Sequence, residues 1–355
     1  MKRIFFLLIF CGIGIAYSFA QNESLIVHEW GTITSKHYRD GAVSGHMNEI
    51  RPQEVLPDFV YHLDQSILKA FDKNPHAIGH RSVTMRLETP VLYFYPSKKF
   101  NYEEPLNISV QFRGGLINEY YPMAVPYYTN LNIDSHEETD IDEDTTGYLY
   151  WNEIHLVKQG DGPKTDLKVW LAPRQVQATH VQTSNGEQEQ FLFYRGVAHL
   201  NSLFKTTYAL DTKEIKIYSA GNLVPGFSHS LVPEVWVVDI KEDGSAVYRD
   251  LGSMNLSNDS NKLLCTTTIN FLKKEYKKEN IQMLRESMHK GLIQNGLYHQ
   301  EATAMLNTWQ ETYFEQPGTR IFFIVPREWI EYHLPLIFST PVHMERVLIG
   351  RIDLN

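Results

Sequence analysis

The sequence predicts a β-rich α+β protein, with an antiparallel sandwich or barrel-like body and a C-terminal helical hairpin packed on one side. Three observations carry that prediction. Residues Arg81 to Pro96 hold the clearest strand signal in the chain, and short strand-like runs separated by turn residues fill the stretch from Asn107 to Tyr248. After Asn255 the apolar spacing changes from that of a strand to that of a helix. Many strands at such spacing favour antiparallel sheets over a parallel sheet with crossover helices.

The chain opens with Lys2-Arg3, an apolar run from Ile4 to Ile15, and Ser18-Phe19-Ala20. This is the layout of a secretory signal peptide over residues 1–20, cut after Ala20. The apolar run is short for a membrane span, which needs about 20 residues. Cleavage would leave 335 of the 355 residues and move the formal net charge from −9 to −11 by removing Lys2 and Arg3. Of the 2 cysteines only Cys265 would remain, so neither an intramolecular disulfide nor a four-cysteine zinc site is available. The fold must then rest on its own core, which this length allows. An acidic exported chain is a poor partner for nucleic acid or an anionic membrane surface, and no membrane span is expected after cleavage. Glycans, small polar molecules, peptides and cations stay open as partners.

Residues 21–355 read as a single β-rich globular unit; the one place where it could divide is near residue 255. Leu25 to Ser35 is a first strand interrupted by Gly31, a position for a bulge or a close backbone approach. His37 to Gln53 is a loop. Asp58 to Lys73 carries Phe59, Leu63, Ile67 and Phe71 at helical spacing, ended by Asn74-Pro75 and Gly79. In the central stretch Val83, Met85 and Leu87 alternate with Thr84, Arg86 and Glu88. Val91 to Tyr95 is apolar or aromatic throughout, as in a strand covered on both faces. Pro90 between them marks a bend, bulge or edge.

Asn107 to Phe112 and Leu116 to Tyr121, joined by Arg113-Gly114-Gly115, read as a hairpin. Asp134 to Asp144 is an exposed acidic loop. Gly147 to Val157, Asp166 to Leu171, Gln190 to Val197, Phe204 to Leu210 and Glu214 to Ser219 read as strands. Pro233 to Tyr248 is a second hairpin, turned at Asp243-Gly244. Ile281, Leu284, Met288 and Leu292 mark a helix ended by Gly296, and Tyr298 to Tyr313 a second one. Arg320 to Val325 and Val342 to Ile352 return the chain to the sheet.

Four blocks, VHEWGTITS, MRLETPVLYFY, EQFLFYRGV and GLYHQEATAMLNTWQETYFEQPGTRIFFIVPR, span most of the mature chain. On them the sequence resembles a group of exported bacterial proteins of unknown function with an N-terminal HEWGT-type motif. The resemblance implies export and a shared fold. It implies no activity, cofactor or catalytic residue.

The chain has no HExxH helix, GxSxG elbow, phosphate loop or dinucleotide GxGxxG, so no cofactor is indicated by motif. Gly226-Phe227-Ser228-His229-Ser230 lacks the second glycine of a nucleophile elbow. Cys265 reads as a structural cysteine. His76 and His80 stand four apart but are broken by Gly79, and Asp140, Asp142 and Asp144 depart from a calcium loop. No metal site is assigned. Three constellations remain: His28-Glu29-Trp30, where His28 and Trp30 share one strand face and Glu29 takes the other; Arg86 with Glu88; and Tyr194-Arg195 before Gly196. Trp151 and His155 are expected on one face of their strand. The working expectation is an exported, soluble protein acting on or binding a glycan or other polar extracellular ligand. In a two-carboxylate hydrolase, Glu29 and Glu88 would share the chemistry, with Arg86 tuning Glu88, His28 beside Glu29 as a further acid–base candidate, and Tyr194, Arg195 and Trp151 contacting the ligand. The alternatives are a non-catalytic envelope or surface protein, and a metal-dependent hydrolase using His28.

Overall fold

The computed structural model describes residues 24–45, 47, 55–63, 82–131, 141–209, 214–268 and 272–354. The signal peptide, the pair His76 and His80, most of the acidic loop and the expected Asp58–Lys73 helix beyond Leu63 lie outside the described residues; the first part of that helix is instead a turn and a short strand, Tyr61–His62. The strands are β1 (Leu25–His37), β2 (Tyr61–His62), β3 (Met85–Pro96), β4 (Leu106–Arg113), β5 (Gly115–Tyr121), β6 (Val125–Thr129), β7 (Thr146–Val157), β8 (His180–Gln182), β9 (Gln188–Glu189), β10 (Leu192–Ala198), β11 (Phe204–Ala209), β12 (Glu214–Ser219), β13 (His229–Ile240), β14 (Ala246–Ser257), β15 (Leu263–Thr268), β16 (Gly318–Ile324), β17 (Leu336–Phe338) and β18 (His343–Leu354). The helices are α1 (Lys168–Leu171), α2 (Glu279–Gln294), α3 (His299–Thr308) and α4 (Arg327–His333). The expected strand from Asp166 is therefore a loop leading into one turn of helix.

Fifteen strands form one sheet in the order β14-β13-β16-β18-β1-β3-β10-β5-β7-β4-β17, with β2, β6, β8 and β9 attached at its side; β11, β12 and β15 form a second sheet. The order has two ends, so the sheet is open and the barrel form is not adopted. It is also mixed: β1 and β18 run parallel from Ile26 beside His343 to His37 beside Leu354. The last strand thus lies against the first in the middle of the sheet, and β16 and β18 join the strands on either side of residue 255 into one ladder. The expected hairpin of β4 and β5 is absent, because β7 lies between them and pairs with both. The β13–β14 hairpin forms as expected, with Gly244 at φ 78° in its turn.

At Gly31 the ladder slips. Trp30 pairs with Val91 and Thr32 with Glu88, so Thr89 and Pro90 oppose one glycine, and Thr89 takes a φ of 49°. A Cβ on Gly31 would meet Pro90 Cα at 3.0 Å and its nitrogen at 3.1 Å, which is why this strand carries glycine there.

Over its central strands β1, β3, β10, β16 and β18 the sheet is covered on both faces. On one face Trp30, Tyr93, Trp236, Phe322 and Ile349 pack with Leu284, Met288 and Leu292 of α2 and Ala302, Met305 and Leu306 of α3. The two helices therefore form the expected hairpin on one side; Gly296, at φ 116°, breaks the chain between them. On the other face Val27, Leu87, Leu348 and Ile321 share a core with Val110 and Leu149 from the far end of the sheet and with Ile215 and Ile217 of the small sheet. The large sheet is thus curled over its own core without closing. Among the described residues no helix is long and apolar enough to cross a membrane.

Candidate functional site

Glu29 lies mid-strand on β1, directly beside Arg346 of β18 in the parallel register. Its carboxylate accepts the Arg346 Nε–H at 2.6 Å and the Tyr194 hydroxyl of β10 at 2.5 Å. The side chains of Glu29 and Arg346 are both 0 % exposed. Burial, followed by the neighbouring Glu29 charge, pushes the Tyr194 phenol well above its ordinary value, so it stays a neutral donor. Tyr194 packs among the core residues of the curled face, which places this triad on the side away from the helices.

Glu88 sits on the opposite side. In a strand, residues three apart point to opposite faces, so Thr32 faces away from Glu29, and Thr32 is the register partner of Glu88. Thr32 hydrogen-bonds the Tyr313 hydroxyl at 2.6 Å, under the helices. Glu88 accepts the Thr34 hydroxyl at 2.8 Å and pairs with Arg86 at 3.2 Å. Arg86 and Glu88 are both buried, so the face read as polar is polar but not wet. The charge alternation continues to Glu119 and Arg195, 3.3 Å apart. Burial pushes the Glu119 carboxyl up, but Arg195, His62 and Arg86 outweigh it and hold it below its ordinary value. Glu29 and Glu88 therefore share neither a face nor a partner.

His28 turns toward the helices. Its Nδ1 lies 2.8 Å from Oε2 of Glu301, a carboxylate that also accepts the Tyr95 hydroxyl at 2.7 Å and the Tyr298 backbone N–H at 2.7 Å. The last bond is the helix-start device in which the third residue of α3 reaches back to the residue before it. The rings of Tyr298 and Tyr95 stand 4.3 and 5.2 Å from the imidazole. Glu301 thus docks α3 onto β1 through His28, which is 2 % exposed. The chemistry of a carboxylate-oriented imidazole is present, without Glu29 as its companion. Among the described residues no three His, Cys, Asp or Glu side chains converge to hold a metal.

The expected ligand contacts are also interior. Tyr194, Arg195 and Trp151 are all buried. Trp151 donates its indole N–H to the Pro122 carbonyl at 3.1 Å and belongs to the core with Leu149. His155 does not share its face: Glu153 takes a φ of 54°, the β4–β7 ladder slips between Leu106 and Ile108, and Ile154 takes the buried position instead. Arg327 pairs with Glu331 and Glu345, whereas Glu328 accepts from Ser230. A polar cleft of about 330 Å³ lies between the ends of β1, β16 and β18, lined by Lys36, Thr319, Arg320 and Asp353 and by none of the expected site residues.

Two solvent-exposed tyrosines stand side by side outside these constellations. Tyr127 of β6 is 56 % exposed and Tyr150 of β7 37 %. They border Tyr148, whose ring lies 5° from parallel with that of Tyr150 at a centroid separation of 6.3 Å. Their signal was the alternation in TGYLYWNEI, in which Leu149 and Trp151 take one face and Tyr148 and Tyr150 the other.

No family model matches the chain, and no curated protein matches it. Among solved structures it is similar to the Fcho1 mu homology domain of Danio rerio with a bound Eps15 peptide, at 10% identity and a TM-score of 0.31, covering 95% of this chain and 97% of that one. It is likewise similar to the yeast delta-COP-I mu-homology domain complexed with a Dsl1 WxWxV peptide, at 9% identity and a TM-score of 0.30, covering 94% and 96%. Overlaps this low carry no argument about fold or partner.

Proposed function

We propose that the chain is an exported, non-catalytic binding or structural protein of the cell envelope or surface, in which the charged strand residues hold the scaffold together. One observation carries this reading: Glu29 and Glu88 point to opposite faces of the sheet where both faces are covered, each closed onto its own buried partners. Two-carboxylate hydrolysis needs both carboxyls across one open groove, roughly 5–10 Å apart. Buried ion pairs of this kind serve to fix strand register and helix docking. Export is supported by the Lys2-Arg3, apolar run and Ala20 pattern.

The test is turnover. The mature chain is incubated with neutral and acidic polysaccharides and reducing ends are measured over time. The reading expects no release above a heat-treated control. Release that disappears in Glu29→Gln or Glu88→Gln, with the melting temperature unchanged, would replace this reading with the hydrolase.

A further inference from the structure

The exposed face of β4, β7 and β6 carries an aromatic surface that no structural role accounts for. Tyr148 and Tyr150 stand two apart on β7, with parallel rings. Tyr127 is the register partner of Tyr148 on β6, its ring 5.8 Å away, and Val125 is the partner of Tyr150. On the other flank β4 sets Gln111 beside Tyr148 and Ser109 beside Tyr150. Among the described residues none of the three phenol hydroxyls has a hydrogen-bond partner. Every position of this block is uncharged, in a chain whose formal net charge is −9. Arg113, at the end of β4, is turned away over the Tyr332 ring, 4.9 Å from its centroid.

We propose that this tyrosine face binds a neutral glycan chain. An aromatic ring carries negative charge density on its face, and the axial C–H bonds of a pyranose present a weakly positive, apolar surface of matching size. Phenol hydroxyls, an amide and a serine around the rings supply donors and acceptors for sugar hydroxyls, at low conformational cost because tyrosine has only two side-chain torsions. A charged polymer would find no counter-charge here. The rigid β-sheet backbone fixes the ring spacing before any ligand arrives, so little ordering is lost on binding. The proposal rests on the binding reading above and adds to it the site and the ligand class.

The mature chain is run through native gels containing xyloglucan, galactomannan, mixed-linkage β-glucan or soluble starch, with polygalacturonate as the charged counter-probe. Retardation is expected in at least one neutral polymer and none in polygalacturonate. Tyr148→Ala and Tyr150→Ala should each weaken retardation roughly tenfold, and the double variant should abolish it. Tyr150→Phe, which keeps the ring, should stay within about threefold of the parent. Melting curves of the variants confirm that each is folded; if the double variant fails to fold, the comparison of Tyr150→Phe with Tyr150→Ala decides. No retardation of the parent in any of the four neutral polymers overturns the proposal, as does retardation that survives loss of both rings. Self-association of the parent in sedimentation that the double variant lacks would assign the face to a second copy of this chain instead. Turnover of a retained polymer would overturn the non-catalytic reading and leave the tyrosine site standing, so the two fail separately.

Discussion

Replacing Glu29 by Gln isolates what the buried triad contributes. The shape is kept and the charge is removed. Arg346 then lies in the core with 0 % side-chain exposure and no counter-charge from β1. The new amide can still accept the Arg346 N–H through its oxygen and donate its NH2 to the Tyr194 hydroxyl, which rotates from donor to acceptor, so the change isolates the lost charge. Breaking a buried pair from one side costs about 3–5 kcal/mol, against total stabilities of about 5–15 kcal/mol. For a chain of this size that corresponds to a fall in melting temperature of roughly 4–7 °C. Adding Arg346→Met removes the stranded charge as well, so the double variant should be more stable than Glu29→Gln alone. Urea unfolding of the parent, both single variants and the double gives the coupling directly. A Glu29→Gln cost below about 1 kcal/mol, or a coupling near zero, would refute the reasoning.

Two further outcomes follow from the same framework. Gly31→Ala puts a methyl against the backbone of Pro90, which cannot rotate away, so denaturation should register a loss of about 1–3 kcal/mol. His37 is buried against Thr206, and burial lowers its imidazole from 6.5 to about 4. The unfolded chain takes up that proton first as pH falls, so the stabilisation is complete above pH 6.5 and is lost progressively down to about pH 4. The His37 share of the loss is about 3 kcal/mol, seen as a falling urea midpoint that His37→Gln should make shallower; His333, also lowered to about 4 by burial, falls over the same range and keeps its own share.

Local pattern made most of the strands legible. Alternation defined β3, β7 and β13, Asp243-Gly244 defined the one tight hairpin, and helical spacing defined α2 and α3. Pairing between distant segments was not legible. The Gly114-Gly115 turn looks like a hairpin, yet β7 inserts there, and the parallel contact of β1 with β18 joins opposite ends of the chain. The partners of the charged candidates were illegible for the same reason. Glu29 finds Tyr194 and Arg346 at separations of 165 and 317 residues, and His28 finds Glu301 at 273. No local window contains those partners. Trp151 is a different lesson, since alternation with Leu149 already placed it in the core and its neighbours Tyr148 and Tyr150 outside. The bulge at Glu153, which separates His155 from Trp151, has no local sequence signal.

The additivity of Glu29→Gln and Glu88→Gln tests the central claim most directly. On opposite faces with no shared partner, the two changes should sum in urea unfolding to within about 0.5 kcal/mol. A coupling above about 1 kcal/mol would mean that the carboxylates interact, and would contradict the separation on which the non-catalytic reading stands.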